Sequence, residues 1–110
     1  MITIDDFAKV EMTVGEILSA EKIEGSDKLL KLSVNFGEEK PRQVLSGISK
    51  FFPDITMLVG KKVAFVTNLE PRSMMGLESQ AMIVAVSDGD ELALMEIPKE
   101  KNIKPGTKFK

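Results

Sequence analysis

The sequence predicts an all-β fold, and two observations support this class. Several segments alternate apolar with polar residues at a period of two, which is the pattern of strands with one buried face. Clusters of Gly, Pro, Asp and Ser separate these segments and predict turns between them. A chain of 110 residues is long enough for one modest hydrophobic core and too short for two, so we expect residues 1–110 to form a single domain.

The first part of the chain predicts a short helical turn and a long strand. Thr3 followed by Asp6 resembles a weak capping box, so residues 4–8 are predicted to be helical. The segment VEMTVGEILSAEKI, residues 10–23, then predicts one long strand that is bent or bulged at Gly15.

Two further strands are predicted before the middle of the chain. The segment KLLKLSVNF, residues 28–36, alternates cleanly, and residues 40–45 form a third strand with Pro41 at its start, where a missing amide donor does least harm. Turns are predicted at residues 24–27 and 37–39. The apolar face of the second strand consists of Leu30, Leu32, Val34 and Phe36.

The middle of the chain changes character. Residues 48–59 contain Pro53 and lack the period of two, so we predict a short helix or helical turns that cover the core. The segment KKVAFVTN, residues 61–68, predicts a fourth strand. The segment NLEPRSMMGLESQAM, residues 68–82, interrupts the strand pattern with a Pro and a Gly and is interpreted as a loop.

The last part predicts two more strands and a tail. AMIVAV, residues 81–86, is the fifth strand, a hairpin turn is expected at residues 87–90, and ELALMEI, residues 91–97, follows. The remaining residues form a Lys-rich tail. This order suits a five-stranded Greek-key barrel of the OB type with a short helical element between strands 3 and 4 and a C-terminal extension. An SH3-like barrel is the alternative, because alternation alone does not separate the two.

Composition narrows the chemistry. The chain contains no His and no Cys, which removes the commonest general base, the commonest zinc ligands and the thiol nucleophile. Neither a GxxxxGK[ST] nor a GxGxxG phosphate loop occurs. We therefore expect no catalysis by this chain itself, no cofactor and no metal. A signal peptide and an apolar span are also missing, so no membrane association and a cytoplasmic location are expected.

Charge is distributed unevenly along the chain, although the net charge is only −2. Residues 1–27 carry a net charge of −5, residues 28–72 carry +4 and residues 73–110 carry −1. The middle of the sequence could therefore present a basic face to a polyanion. Ordinary solvated strand edges and loops would explain the same pattern.

Three stretches together resemble one family. They are SDKLLKLSVNFGEE (residues 26–39), RQVLSGI (residues 42–48) and NLEPRSMMGLESQAM (residues 68–82). In this order and spacing they are similar to the tRNA-binding OB domain at the C-terminus of methionyl-tRNA synthetases and to its free-standing dimeric relatives. The resemblance implies structure-selective, largely sequence-independent binding of tRNA, either as a free-standing homodimer or as an appended domain of the synthetase.

The resemblance also implies the binding surface. Lys28 and Lys31 would supply positive charge for phosphates, and Arg42 and Arg72 would fork onto them. The other residues at matching positions are Gln43, Ser46, Asn68, Ser79 and Gln80 as hydrogen-bonding groups, and Met75 and Met82 as soft apolar contacts.

Several of these residues have a purely structural alternative. The hydroxyls of Ser46 and Ser79 and the amide of Asn68 could serve turn or cap chemistry, and Met82 could be buried at a strand start. Aromatic side chains stack on bases in readers of single strands, but this chain has no Trp or Tyr. Phe36 and Phe65 lie on apolar alternating faces, so core packing is their expected role.

Two positions depart from the family pattern. Ser73 stands where the family usually has a Lys, and Ala81 stands where it usually has a Gly. The first departure removes one phosphate contact, and the second adds a methyl group where backbone could approach RNA.

Two other function classes stay open at this point. The domain also resembles a family of small dimeric chaperones related to secretion, which would bind unfolded polypeptide. A carboxylate hydrolase is the third class, although no pair of carboxylates stands in an apolar setting.

Dimerisation is expected as well. The N-terminal turn and the C-terminal segment carry more apolar residues than a five-stranded barrel needs for its core, so we predict that they form a two-fold interface. The C-terminal residues concerned are Leu92, Leu94, Ile97, Ile103 and Phe109.

Overall fold

Strands account for most of the regular structure in the computed structural model, which describes residues 1–110. One helical turn, α1, precedes them and has the capping box that the sequence predicts between Thr3 and Asp6. The elements in chain order are α1 (Ile4–Phe7), β1 (Met12–Lys22), β2 (Leu30–Asn35), β3 (Arg42–Ser46), β4 (Lys62–Val66), β5 (Arg72–Met74), β6 (Leu77–Ser79), β7 (Met82–Ile83), β8 (Ala85–Asp88) and β9 (Glu91–Leu94).

Five antiparallel strands in the order β3-β2-β1-β4-β7 form the main sheet. β1 serves two neighbours, because its first part, residues 12–16, pairs with β4 and its second part, residues 16–22, pairs with β2. Two 3₁₀ turns, at Ser49–Phe51 and Ile55–Leu58, lie between β3 and β4, where a short helical element is predicted. The sheet curls into a nearly closed barrel, which confirms the OB-type prediction.

The barrel closes where β3 meets the chain just after β6. The backbone N–H of Gln80 donates to the carbonyl of Gln43 at 2.8 Å, and the N–H of Leu45 donates to the hydroxyl of Ser79 at 2.9 Å. Side chains therefore supply part of the hydrogen bonding that a regular strand ladder would otherwise provide.

The core lies inside this barrel and matches the alternation of the sequence. All four residues of the predicted apolar face of β2 are buried. The rings of Phe36 and Phe65 meet edge to face with centroids 5.1 Å apart, a favourable aromatic geometry. This packing confirms the core role expected for both phenylalanines.

The bulge in β1 is not at Gly15, and that prediction is wrong. The pairing of β1 with β2 shifts register between Ile17 and Ser19, so the extra residue is Leu18. Gly15 is needed for another reason, since a Cβ there would come within 2.6 Å of both Phe36 and Val34. Glycine lets the aromatic core approach the backbone of β1.

The predicted loop of residues 68–82 contains a small hairpin. β5 and β6 pair across a turn at Met75 and Gly76, whose φ angles of 51° and 78° are both positive, as in a type I′ turn. Three-residue strands are too short to show an alternating pattern, which is why the sequence indicated only a loop. The strand predicted at residues 81–86 is also divided, because its first part pairs with β4 and its second part with β9.

The C-terminal extension lies along β1. The N–H of Val14 donates to the carbonyl of Thr107, and the N–H of Gly106 donates to the carbonyl of Val14, both at 2.8 Å. The N–H of Phe109 donates to the carbonyl of Met12 at 2.9 Å. The last residues thus cover an edge of the sheet that would otherwise be unpaired. None of the helices has the length and apolar character needed to cross a membrane.

Candidate functional site

Strand pairing brings most of the predicted site residues to one side of the barrel. Lys31 lies on β2, and the pairing of β2 with β3 places it opposite Leu45 and beside the β3 residues of the site. The closure of the barrel then sets the β5–β6 hairpin against the other edge of β3. Hydrogen bonds across this closure join the predicted residues Arg42, Gln43 and Gln80 directly, and Ser79 bonds to the backbone of Leu45 on β3.

The two glutamines hold each other. The side-chain oxygen of Gln80 accepts from the backbone N–H of Gln43 at 2.9 Å, and the side-chain NH₂ of Gln43 donates to the carbonyl of Glu78 at 2.9 Å. Gln43 is partly buried and Gln80 is exposed. Each amide keeps hydrogen-bonding capacity for a ligand, but its orientation is set by the protein.

Ser79 is an internal residue. Its side chain is buried, its hydroxyl donates to the carbonyl of Ala81 at 3.1 Å, and the same oxygen accepts from the backbone of Leu45. Ser46, by contrast, is partly exposed at the end of β3. Ser79 therefore serves the closure of the barrel, whereas the side chain of Ser46 remains partly exposed.

Arg42 makes the densest set of contacts in the site. Its Nε and Nη2 donate to the two carboxylate oxygens of Glu38 at 2.9 and 2.8 Å, a bidentate ion pair. Its Nη1 donates to the carbonyls of Thr67 at 2.7 Å and Gln80 at 3.2 Å. The guanidinium carbon also lies 5.3 Å from the ring centroid of Phe36.

Asn68 faces the N-terminal segment. Its side-chain oxygen accepts from the N–H of Glu11 at 2.8 Å, and its NH₂ group donates to the carbonyl of Lys9 at 2.7 Å. Both functions of the amide are therefore used to hold residues 9–11 against the end of β4. The structure does not join Asn68 by any hydrogen bond to the other predicted residues.

Three predicted cations are available to a polyanion. Lys28 and Arg72 are exposed and form no salt bridge, whereas Lys31 pairs with Glu21 across β1 and β2 at 3.4 Å. A salt bridge between exposed side chains is weak, about 0–1 kcal/mol, so a phosphate can displace Glu21. A polar groove of about 290 Å³ includes Lys31 but neither Lys28 nor Arg72, and it is lined by Ser19, Glu21, Lys31, Leu32, Ser33, Pro41, Arg42 and Gln43.

The predicted methionines are at the surface. Met75 is 56% exposed at the tip of the hairpin, and Met82 is 46% exposed, so Met82 is not the buried strand residue that was the alternative. Beside Met82 a shallow cleft of about 40 Å³ contains Leu69, Met74 and Ala81. A larger cleft of about 250 Å³ lies elsewhere, between the start of β4 and the chain after β9, and contains none of the predicted residues.

Two carboxylates of the site were missed from the sequence. Those of Glu38 and Glu21 pair with Arg42 and Lys31 at 2.8 and 3.4 Å, whereas Glu78 contacts Gln43 only through its backbone carbonyl. Glu38 stands four residues before Arg42, but spacing of four brings side chains together only on a helix, and this segment is a turn. Glu38 and Arg42 meet only because the chain turns back between them, and the sequence does not predict this.

A second polar cluster joins the site to both chain ends. Thr67 donates to a carboxylate oxygen of Glu11 at 2.6 Å, and that oxygen lies 3.2 Å from the ammonium of Lys108. The ammonium also donates to the hydroxyl of Thr13, which is 2.7 Å from the hydroxyl of Thr67. Thr67 therefore links this ring to Arg42 through its backbone carbonyl.

These contacts predict how stability changes with pH. The hydrogen bond from Thr67, and then that from Lys108, lower the pKa of Glu11 below its ordinary 4.5, and the hydrogen bonds from Arg42 lower the pKa of Glu38 in the same way. A carboxyl with a lowered folded-state pKa stabilises the fold above the unfolded value and loses that contribution as pH falls through the folded value.

We therefore expect the free energy of unfolding to decrease as pH falls below about 4.5, and to decrease less in the double variant E11Q/E38Q. Chemical denaturation followed by circular dichroism between pH 3 and 7 measures both curves. A variant curve as steep as the wild-type curve would contradict the assignment of the pH dependence to these two carboxyls. E39Q, at an exposed carboxyl without a salt bridge, is the matched control.

Comparison with known proteins identifies the family. The family model described as "Putative tRNA binding domain" matches residues 12–108. The chain belongs to this family. The resemblance seen in the sequence is thereby confirmed, and the match leaves out only residues 1–11 and 109–110.

Two kinds of relative share this domain. The chain is 48% identical over 108 residues to the methionine–tRNA ligase of Caldanaerobacter subterraneus subsp. tengcongensis, covering 98% of this chain and 16% of the ligase. The crystal structure of the MetRS-related protein of Pyrococcus horikoshii matches with a TM-score of 0.88 and 36% identity, covering 99% of this chain and 97% of that protein.

A third protein of similar structure is named as a chaperone. The CsaA chaperone protein of Picrophilus torridus matches with a TM-score of 0.87 and 26% identity, covering 100% of both chains. The chain thus spans about one sixth of the curated ligase and the whole of the two small proteins.

Proposed function

We propose that this domain binds folded tRNA through the side of the barrel formed by β2, β3 and the β5–β6 hairpin, with structure selectivity and little dependence on sequence. The observation that carries the proposal is that Lys31, Arg42 and Gln43 line one polar groove, while two cations without a salt bridge lie on the flanking segments. Lys28 is exposed just before β2, Arg72 is exposed on the hairpin, and the amides of Gln43 and Gln80 lie where β3 meets the hairpin. This arrangement suits a phosphate backbone.

The aromatic residues support recognition of shape. Readers of single-stranded RNA stack bases on exposed aromatic rings, whereas helices are recognised through phosphates and 2′-hydroxyls. Phe36 and Phe65 are buried in the core, the chain has no Trp or Tyr, and the exposed rings of Phe7 and Phe109 belong to the chain ends, outside the proposed surface. Met75 on the hairpin and Met82 on β7 are exposed and can add adaptable apolar contacts.

The relatives support two settings for this domain. As a separate homodimer it would bind tRNA in trans, and as an appended domain it would tether tRNA to methionyl-tRNA synthetase. In both settings residues 1–110 would act as one non-catalytic domain in the cytoplasm. The near-complete coverage of the Pyrococcus protein favours the first setting, and the high identity to ligases favours the second.

Titration at several salt concentrations tests the function. We expect folded tRNA to bind more tightly than an RNA duplex or a single strand of equal length, and its affinity to fall steeply with salt, because phosphate contacts release counterions. Equal binding to all three RNAs, or no binding to any, would contradict the proposal.

Binding of unfolded polypeptide is the alternative function. Similarity in structure to a chaperone and the exposed apolar residues around the 40 Å³ cleft favour it. The identity of 26% to that chaperone, against 48% to the ligase, favours tRNA. A parallel titration with a permanently denatured protein separates the two functions. A polypeptide-binding domain would bind the denatured protein even at high salt, where phosphate contacts to tRNA are weakened.

Ser73 offers a gain-of-function test. Its Cα pairs with that of Glu78 across the hairpin, and both residues are exposed. We expect S73K to tighten tRNA binding by only about two- to threefold, because the new ammonium is partly neutralised by the carboxylate opposite.

At 0.1 M salt, S73K/E78Q should bind tRNA about eightfold more tightly than E78Q, which is the contribution of one full phosphate contact. Fluorescence titration with labelled tRNA measures both variants, and E78Q alone is the control. If S73K/E78Q binds no more tightly than E78Q, the hairpin does not approach phosphate.

Dimerisation is proposed through the N-terminal turn and the C-terminal segment. α1 buries none of its residues, and Ile4 and Phe7 are 77% and 49% exposed. Phe109, on the segment that pairs with β1, is 42% exposed. Of the C-terminal residues predicted for the interface, Leu94 is buried in the core and Leu92 packs against it, so the barrel uses these two itself. Exposed apolar side chains such as Ile4, Phe7 and Phe109 are typical of an interface between proteins where they adjoin.

We expect a dimer at micromolar concentration by light scattering, and a monomer when Ile4 and Phe7 are both replaced by Asp. A monomeric wild-type protein would contradict the proposal. The far-UV circular dichroism spectrum checks that the variant keeps the barrel.

A further inference from the structure

One guanidinium holds both ends of the β5–β6 hairpin. Nη1 of Arg42 donates to the carbonyl of Thr67, just after β4, at 2.7 Å and to the carbonyl of Gln80, just after β6, at 3.2 Å. The twelve residues between these two positions form the hairpin and its flanks. A single nitrogen thus fixes where the hairpin leaves the barrel and where it returns.

The remaining donors of this guanidinium are also occupied. Arginine has five N–H donors. Two of them go to the carbonyls of Thr67 and Gln80, and two go to the carboxylate of Glu38 at 2.9 and 2.8 Å. One donor is left, and Arg42 is only 25% exposed, with its face against Phe36.

The hairpin depends on such attachments. Its exposed strand β5 pairs only with β6, and the two-stranded unit is separate from the main sheet. An isolated two-stranded hairpin is marginally stable in water, so its position is set by the contacts of its ends with β3. Those contacts are the hydrogen bonds of Gln43, Leu45 and Arg42.

We infer that Arg42 is a positioning residue, which fixes the hairpin that carries Arg72 and Met75, and that it is not itself a phosphate ligand. This inference rests on the proposed tRNA binding, and it changes the role that the sequence suggested for Arg42. Glu38 acts with it, because its carboxylate holds the plane of the guanidinium so that Nη1 reaches both carbonyls.

The two roles of Arg42 predict opposite effects of E38Q. If Arg42 contacts phosphate, removal of the competing carboxylate frees the guanidinium and tightens binding. If Arg42 positions the hairpin, removal of the bidentate pair loosens it and weakens binding. Glu39 is the matched control, since it is the next residue, is exposed and forms no salt bridge, so E39Q removes the same charge without touching Arg42.

We expect E38Q to bind folded tRNA about three- to tenfold more weakly than E39Q. In the free protein, amide hydrogen exchange of residues 72–80 should be faster in E38Q than in E39Q, with β1 and β2 unchanged. R42K, which keeps the charge but lacks the planar fork, should resemble E38Q in both measurements.

Binding by E38Q as tight as or tighter than that by E39Q, with unchanged exchange, would overturn the inference. So would R42K with wild-type affinity, because a point charge would then be sufficient. If the wild-type protein binds no tRNA, the proposed function fails, and the exchange measurement still decides whether Arg42 fixes the hairpin.

Discussion

Replacement of Lys28, Lys31 and Arg72 together by glutamine is expected to weaken binding to folded tRNA by about two to three orders of magnitude at 0.1 M salt. Each phosphate contact contributes about 0.9 to the slope of log affinity against log salt, which is about eightfold per contact at that concentration. The slope itself should therefore fall by about 2.7. Filter binding or fluorescence titration from 0.05 to 0.3 M salt measures both quantities.

The control for this triple variant carries the same change of charge elsewhere. Lys99, Lys101 and Lys110 are exposed, form no salt bridge and lie outside the proposed surface. Their replacement by glutamine should leave most of the affinity in place, since long-range attraction is screened within about 10 Å at 0.1 M salt. If both triple variants lose affinity equally, net charge governs binding and the proposed surface is wrong.

Gly106→Ala is expected to lower the free energy of unfolding by about 3 kcal/mol or more, the sum of backbone strain and overpacking. Its φ angle is +92°, which alanine adopts with strain, and a Cβ there would collide with the carbonyl oxygen of Phe36. The contact is reciprocal, because a Cβ on Gly37 would lie 2.8 Å from the carbonyl oxygen of Pro105. Two backbone segments cross here without room for a methyl group.

A matched glycine separates the two causes. Gly60 has a φ angle of +90°, but a Cβ there meets nothing within 4 Å. Gly60→Ala should cost only the strain, about 1 kcal/mol. Urea denaturation followed by far-UV circular dichroism compares the variants. If Gly106→Ala and Gly60→Ala lower the free energy of unfolding equally, the backbone at residues 37 and 106 moves apart easily. The close approach then adds no cost beyond strain.

Much of the fold could be predicted from local pattern. The alternation in β2 identified a buried face that the structure confirms, and the aperiodic segment at residues 48–59 gave the 3₁₀ turns. The β5–β6 hairpin could not be predicted in this way. Its strands have three residues each, and the barrel edge at β3 holds its ends in place.

The site could be predicted as a set of residue types but not as a set of roles. Ser79, Asn68 and Arg42 are predicted as ligand-binding residues because they can donate hydrogen bonds, but in the structure they donate to carbonyls of the same chain. Lys28 and Arg72, by contrast, are exposed and form no salt bridge. A donor looks the same in sequence whether a carbonyl of the same chain or a phosphate faces it.

The sequence by itself determined the all-β class, the core face of β2 and the family, because alternation, turn residues and motif spacing are local properties of the chain. Only the tertiary structure decided which polar groups remain free. That outcome depends on contacts such as Arg42 with Thr67 and Thr13 with Thr67, between residues 25 and 54 positions apart. Barrel closure brings such residues together, and it is the closed barrel that leaves Arg72 at the surface and draws Arg42 inward.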